Sequence, residues 1–362
     1  MLKKFKAFIL LILIASGQAV YAQANVEVAA MKAKAAIKLE DEQQKYDDAI
    51  RLLREAIILD PDNIFYPYEI AYACSKKKDF SQATDILEGL LSRHDVFASV
   101  YQALGNAYDE QGMREKAIKT YEEGVKKFPD AGELYLELGN MQAAKKDYDK
   151  AIVYYEKGIE KDPRFPSNYY WAAKIFSGTD DNVWGMLYGE IFLNLERGST
   201  RATEISKMLF NIYKRGIRFN ADSSISISFN GNAMLQGTGL KDTKKSRAPF
   251  AVMYERVLSW AVSGEKKIDI NSLDGIRSRF VNEFFRNESN ENFPNILFDY
   301  QKRIRYAGHL EAYNHWILMK GDEQLFKTWL AANRKAWVNF FNWQKDNPLQ
   351  IDSTHKFYRK QY

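Results

Sequence analysis

The hydrophobic residues of this 362-residue chain recur mostly three and four positions apart, which is the spacing of amphipathic α-helices. In the C-terminal part this spacing predicts four helices, of which the third runs unbroken from Pro294 to Trp316 and the fourth ends before Pro348. One segment differs, because Ile225 and Ile227 alternate with serines and so predict a short strand or an extended loop. The pattern as a whole predicts an all-α fold.

The N-terminal half of the chain repeats itself every 34 residues. Four alanines mark equivalent positions, and prolines follow three of them in phase, with Asp95 in the place of the second proline. The alanines are Ala49, Ala83, Ala117 and Ala151, and the prolines are Pro61, Pro129 and Pro163. Because proline lacks a backbone N–H and collides with the preceding helical turn, each proline is expected to end a helix.

This pattern resembles the tetratricopeptide repeat, a 34-residue motif with an aromatic residue, Leu-Gly and Tyr before the alanine, and an aromatic residue and proline after it. Residues 99–130 match nearly every position of the motif, and Tyr135, Leu138 and Gly139 repeat its first half. The resemblance covers residues 30 to about 165 and extends to residue 217 as a degenerate fifth repeat and an extra helix. It implies a right-handed superhelix of antiparallel helix pairs, in which no pair buries its apolar face alone.

The sequence after the repeats divides at changes in composition. Residues 218–248 are rich in glycine and polar residues and are expected to be a loop or linker with a possible short strand. Residues 249–347 form a helical region, and residues 348–362 a tail. Because a solenoid must cover the apolar end of its last repeat, the helical region is expected to cap it, either as degenerate repeats or as a separate bundle.

In the family that the repeats resemble, the first helices of the pairs line a concave groove that holds an extended peptide or a partner helix. Carried over position by position, the resemblance implies a groove lined by Tyr68, Tyr72, Gln102, Asn106, Asp109, Leu136, Asn140, Tyr170 and Lys174. The three tyrosines are expected to be exposed and to supply contact area at low entropy cost. The resemblance therefore implies a non-catalytic scaffold or adaptor whose partner is a protein or peptide.

A subclass of the family grips the C-terminal carboxylate of its peptide with two asparagines and several basic residues. Asn106, Asn140 and Lys174 match three of those positions, whereas Gln102 and Tyr170 stand where that subclass has lysine. General peptide binding is therefore favoured over carboxylate capture.

The first 22 residues have the layout of a secretory signal peptide. Three lysines precede an apolar run from Ala7 to Ala15, and Val20 and Ala22 supply the small residues of a cleavage site before Gln23. The run is about half the length that crosses a bilayer, so no stable membrane insertion is expected after cleavage. Cleavage would leave 49 basic and 47 acidic residues, a balance that argues against nucleic acid as a partner. The segment predicts an exported, periplasmic protein, with secretion or peripheral attachment to the envelope as alternatives.

The residues available for catalysis or metal binding are few. The chain has four histidines and one cysteine, Cys74, which is expected to pack as a small hydrophobic residue. The one cluster of interest is His309, Glu311 and His315, but His309 lies about 200° around the helix from Glu311 at 3.6 residues per turn. These residues are expected to be polar groups on the exposed side of an aromatic-rich helix. The sequence therefore predicts no catalytic residue, no metal site and no cofactor.

Two alternative functions stay open at this point. One is an enzyme or small-ligand-binding protein with its site in the C-terminal helical region, covered by the 218–248 loop. The other is a structural subunit of a larger envelope assembly.

Overall fold

The computed structural model describes the backbone of residues 2–221, 224–229 and 250–362, and the side chains from residue 23 onward. Helices make up almost all of the regular structure in these residues, which confirms the all-α prediction. The chain divides into two compact units, Met1–Pro129 and Asp130–Tyr362, which are described separately. Most of the predicted 218–248 loop lies outside the described residues.

The first unit consists of three helix pairs in which each first helix packs against the second helix of its own pair. Its helices are α1 (Leu2–Gln43), α2 (Tyr46–Leu59), α3 (Phe65–Lys76), α4 (Phe80–Leu90), α5 (Ala98–Glu110) and α6 (Arg114–Lys127). The first helix of the first pair is the C-terminal part of α1, which also contains the predicted signal peptide. The repeat alanines Ala49, Ala83 and Ala117 are completely buried, as the close approach of the paired helices requires.

A left-handed backbone residue joins the two helices of each of the first four pairs. These residues are Gln44, Lys78, Gly112 and Lys146, with φ angles of 53°, 63°, 78° and 61°. The last backbone N–H groups of the turn return to carbonyls of the first helix, as in the bond from Asp79 to Cys74 (2.9 Å). The turn therefore recurs with the 34-residue period even though only one of its four residues is glycine.

The second unit begins with the fourth and fifth helix pairs and a further helix. These are α7 (Gly132–Ala144), α8 (Tyr148–Lys161), α9 (Pro166–Ser177), α10 (Asn182–Leu195) and α11 (Thr200–Gly216). Gly185 takes the place of the repeat alanine in α10, and an added Cβ would lie 3.0 Å from the backbone nitrogen of Ser177 and 3.3 Å from the carbonyl oxygen of Ala173. The α9–α10 pair is thus packed too closely for the alanine that the other pairs carry.

A two-stranded antiparallel sheet follows α11. Its strands are β1 (Ile217–Phe219) and β2 (Ile225–Ile227), with Arg218 opposite Ser226. The sheet confirms the short strand expected from the alternating isoleucines. Phe229, directly after β2, is completely buried and lies against Gly216, where any side chain would collide with its ring.

The C-terminal region is a set of shorter helices than the sequence predicts. They are α12 (Phe250–Ala261), α13 (Ile270–Arg286), α14 (Ser289–Asn292), α15 (Ile296–Tyr306), α16 (Leu310–Leu318), α17 (Glu323–Ala332) and α18 (Arg334–Asp346). The unbroken third helix was a wrong prediction, because Gly308 adopts φ 75° and ends α15 before α16 begins. The fourth is also two helices, which meet at Asn333.

One hydrophobic core joins the repeats of the second unit to the C-terminal region. It extends without interruption from Leu136 in α7 through the aromatic residues of α10, α12 and α16 to Phe357 in the tail. The division between units therefore falls at Pro129, inside the repeat array, and not at the composition change near residue 218.

A buried ion pair lies inside this core. The guanidinium of Arg277 in α13 donates to both carboxylate oxygens of Glu190 in α10, at 2.6 and 2.9 Å, and Tyr313 and Gln301 donate to the same carboxylate. Both charged side chains are almost fully buried. These hydrogen bonds among four different helices satisfy the charges and fix how the helices meet.

Candidate functional site

The first-helix face of the first unit exposes two of the predicted groove residues. Tyr72 in α3 is 37% exposed, and Lys76 lies over its ring at 5.0 Å. Asn106 in α5 is also exposed. Tyr68 is half-buried with its ring against Phe97, 5.0 Å away, and Gln102 and Asp109 are half-buried too, with Asp109 in an ion pair with Arg114 at 3.5 Å.

Asn106 has a fixed side chain because a tyrosine of its own pair holds it. The Tyr121 hydroxyl donates to Oδ1 of Asn106 at 2.6 Å. The contact engages the oxygen of the Asn106 side chain and not its amide N–H₂. In the second unit the Tyr155 hydroxyl likewise donates to Oδ1 of Asn140 at 2.9 Å, but there the amide N–H₂ of the asparagine donates to Glu137 at 3.0 Å.

Two predicted groove residues of the second unit are buried, contrary to the expectation. Leu136 in α7 is 9% exposed and Tyr170 in α9 is 5% exposed. Tyr170 packs against Phe192 of α10, and the guanidinium of Arg201 lies over its ring at 5.1 Å. Since Arg201 belongs to α11, the helix that follows the fifth pair covers the tyrosine.

Lys174, the third candidate for carboxylate capture, is already bound to a carboxylate of this chain. Its ammonium lies 2.8 Å from Glu204 in α11, and the Tyr170 hydroxyl donates to the other oxygen of Glu204 at 2.5 Å. The hydrogen bonds from Lys174 and Tyr170 lower the pKa of Glu204. Glu204 lies 34 residues after Tyr170, which is one repeat period. The repeat spacing could therefore have predicted that Glu204 lies near Tyr170 and Lys174.

An apolar cleft of about 340 Å³ lies next to Lys174 in the second unit. Its lining residues come from the end of α7, the first residue of α8, α9 and the two residues after α9, and they are Ala143, Tyr148, Trp171, Lys174, Ile175, Gly178 and Thr179. Tyr148 is 51% exposed although it is aromatic. The sequence prediction missed every residue of this cleft except Lys174, because they lie beside the positions that the family resemblance marks.

Cys74 is buried, as expected. Burial raises the pKa of its thiol, and its Sγ donates to Oε1 of Gln82 at 3.0 Å. A buried, protonated thiol is a poor nucleophile.

In the C-terminal region His309 lies apart from Glu311 and His315. His309 stands at the start of α16 with its ring 5.6 Å from that of Trp343, and burial lowers its pKa. His315 is only 2% exposed, so its expected place on an exposed helix face was wrong. Asp274 of α13 takes the place of His309 beside Glu311 and His315.

From residue 23 onward, where side chains are described, none of the helices is long and apolar enough to cross a membrane.

Comparison with known proteins identifies the repeats. Residues 103–166 match the family model described as "Tetratricopeptide repeat", which confirms the sequence prediction for this segment. No curated protein matches the chain.

Solved structures that resemble about half of this chain are repeat proteins at low sequence identity. They include PilF of Pseudomonas aeruginosa (18% identity, 52% of this chain and 86% of that chain, TM-score 0.43) and the thermophilic TPR protein TTC0263 of Thermus thermophilus (16%, 50% and 98%, TM-score 0.42). The MamA protein is similar over 47% of this chain and 92% of its own (21% identity, TM-score 0.35).

Proposed function

We propose that this chain, which contains tetratricopeptide repeats, is a non-catalytic adaptor of the cell envelope that binds an extended polypeptide on the first-helix faces of its repeats. The observation that carries the proposal is the apolar cleft beside α9, together with the exposed Tyr72 and Asn106. Each unit presents its own face, so the proposal can be tested in each unit separately.

The side chains on these faces suit an extended backbone. Tyr121 and Tyr155 hold the amide oxygens of Asn106 and Asn140, so both asparagines are oriented before a partner arrives. The amide of Asn106 can donate to a backbone carbonyl of a bound peptide, and little side-chain entropy is lost because its orientation is already set. The amide of Asn140 already donates to Glu137 at 3.0 Å, so Asn106 is the asparagine that we assign to the peptide backbone. Binding energy at such surfaces concentrates in aromatic residues, which assigns the main contacts to Tyr72 and the Tyr148–Trp171 cleft.

A peptide backbone suits the second unit better than a C-terminal carboxylate. Glu204 neutralises Lys174 at 2.8 Å, so an incoming carboxylate would have to displace it. The cleft next to Lys174 is apolar and of a size that holds one large apolar side chain of the partner.

The envelope location rests on the N-terminal sequence. Three lysines, an apolar run and a small-residue cleavage site precede Gln23. Mass spectrometry of the protein from its native cells tests this part of the proposal. The mature chain is expected to begin at Gln23, and a chain that retains residues 1–22 would contradict export by signal cleavage.

Binding can be tested with a peptide selected from a random display library on the full-length protein. Tyr72→Ala and Trp171→Ala remove aromatic side chains of the first helices α3 and α9 from the proposed binding face of each unit. We expect each substitution to weaken, at least tenfold, the affinity of the selected peptides that bind the unit carrying it. A tenfold loss corresponds to about 1.4 kcal/mol of binding free energy. Fluorescence anisotropy measures the dissociation constants.

The matched controls are exposed apolar residues on second helices. Ile58 in α2 is 80% exposed and Val153 in α8 is 48% exposed, so Ile58→Ala and Val153→Ala remove similar surface from the opposite helix of a pair. Affinity is expected to stay within twofold of the original. If the control substitutions weaken binding as much as the substitutions of Tyr72 and Trp171 do, the first-helix face is not the binding surface.

A further inference from the structure

Three side chains with metal-ligating atoms converge between α13 and α16 of the C-terminal region. One ligand atom each from Asp274, Glu311 and His315 lies within 4.8 Å of the other two. Glu311 and His315 are four residues apart in α16 and therefore share a face of that helix. Asp274 reaches the same point from α13. Two ligands of one ion lie at most about twice the metal–ligand distance of roughly 2.1 Å apart, so the most distant of these atoms would move a few tenths of an ångström closer around a bound ion.

The two carboxylates of the cluster lack a cationic partner. Neither Asp274 nor Glu311 forms a salt bridge with a lysine or arginine in the described part of the chain. Arg277, one turn after Asp274, is bound to Glu190 instead. Two carboxylates at this distance repel each other, and a bound cation would relieve the repulsion.

Each of the three side chains is held by a second contact. Nδ2 of Asn314 donates to Oδ1 of Asp274 at 2.8 Å, and Nε1 of Trp329 donates to Oε1 of Glu311 at 2.7 Å. The ring of His315 stacks on that of Trp329 with centroids 4.1 Å apart. In metal sites of proteins, hydrogen bonds and packing contacts from residues that do not bind the ion orient the residues that do.

The hydrogen bond of His315 decides which ring nitrogen can bind an ion. Nδ1 lies 2.9 Å from the carbonyl oxygen of Glu311, which can only accept, so Nδ1 carries the proton. Nε2 of a neutral ring then keeps its lone pair and faces Oδ1 of Asn271 at 3.2 Å. Nε2 and Oδ1 both accept hydrogen bonds, so they do not bond to each other. A cation between them could be bound by both.

We infer that Asp274, Glu311 and His315, with Asn271 as a fourth ligand, bind a divalent transition-metal ion of the Zn²⁺ class. An imidazole nitrogen favours such an ion over Mg²⁺ and Ca²⁺, which prefer oxygen ligands only. The ion would join α13 to α16 and would act as a structural cross-link. This inference is independent of the proposed peptide binding.

Isothermal titration of the full-length protein with ZnCl₂ after EDTA dialysis tests the site. We expect one Zn²⁺ per chain and a higher melting temperature in the presence of the ion, because the ion binds the folded state. Co²⁺ in place of Zn²⁺ should give visible absorption bands of a nitrogen- and oxygen-ligated ion. Absence of Zn²⁺ binding, or tighter binding of Ca²⁺ than of Zn²⁺, would overturn the inference.

Glu311→Gln is the most informative variant, since Glu311 is exposed and glutamine keeps its shape and its acceptor for Trp329. It is expected to weaken Zn²⁺ binding at least tenfold while the metal-free protein melts as before. Asp274→Asn should have the same effect on binding. His355→Ala is the matched control, because His355 contacts Asp352 at 3.2 Å on the surface outside the cluster. Zn²⁺ binding that survives Glu311→Gln and disappears with His355→Ala would place the ion elsewhere.

Discussion

At the scale of single residues, the first unit carries a carboxyl group whose protonated form is favoured by burial and by nearby negative charges. Glu40 in α1 is 4% exposed, and its Oε1 has no hydrogen-bond partner among the described residues. Burial and the negative charges of Glu69 and Asp41 raise the pKa of Glu40 from 4.5 to about 7. The folded state therefore binds a proton more tightly than the unfolded chain, so this group contributes most stability below pH 4.5 and loses it as the pH rises through 7.

We expect Glu40→Gln to change how stability depends on pH. Between pH 5 and pH 8 the original protein should lose about 1–2 kcal/mol of unfolding free energy through this group, after allowance for solvent screening. The variant should lack this loss and should be the more stable of the two at pH 8. Urea unfolding at several pH values measures the difference. Glu42→Gln, at an exposed carboxylate of the same helix, should leave the pH dependence unchanged; an equal effect of both substitutions would contradict the assignment to Glu40.

At the scale of helices, the third and fourth pairs each depend on a glycine that faces a tyrosine. An added Cβ on Gly105 in α5 would lie 2.1 Å from the ring of Tyr121 in α6, and on Gly139 in α7 it would lie 2.3 Å from Tyr155 in α8. Both tyrosine rings are buried, so neither can move aside cheaply. The same tyrosines hold Asn106 and Asn140, and helix packing is thereby linked to the orientation of these two asparagines.

Gly105→Ala should destabilise the protein by about 1–3 kcal/mol, the usual cost of overpacking a core. Gly89→Ala is the matched control, since Gly89 also lies in a helix, α4, but has no atom within 4 Å of an added Cβ. There the substitution should stabilise the protein by up to about 1 kcal/mol, because alanine favours the helix. Urea unfolding curves compare the two variants, and the packing explanation fails if their effects have the same sign.

At the scale of the whole molecule, the C-terminal tail completes the second unit. Arg359 donates to both oxygens of Glu156 in α8, at 3.0 and 3.1 Å, and its backbone N–H donates to the Tyr188 hydroxyl of α10. Glu156 is 1% exposed, so it has little access to water. The tail thus packs on α8 and α10, the second helices of the fourth and fifth pairs.

Arg359→Met should lower the free energy of unfolding of the second unit by about 2–3 kcal/mol. The reason is that Glu156 would keep a buried charge without its cationic partner, and such losses are costly. Lys360→Met serves as the control, because Lys360 is the next residue and is exposed. Thermal and urea unfolding followed by circular dichroism measure both variants. Equal stability of the two would mean that the tail contributes nothing to the unit.

The sequence determined the helical composition and the 34-residue repeat. These features depend on local properties: apolar periodicity, prolines that end helices, and small residues where paired helices approach. The turns at Lys78 and Lys146 show how strong this periodicity is, because they keep the left-handed conformation without glycine.

The tertiary structure decided which of these residues are exposed and which distant ones meet. Tyr170 is buried because α11 covers it, and Lys174 is neutralised by Glu204 from that same helix. Asp274 lies next to His315 although they are 41 residues apart in the sequence, and Arg277 pairs with Glu190, which is 87 residues away in the sequence. Periodicity describes one helix at a time, whereas burial and ion pairing depend on which helices pack together, and no local pattern of a single sequence specifies that.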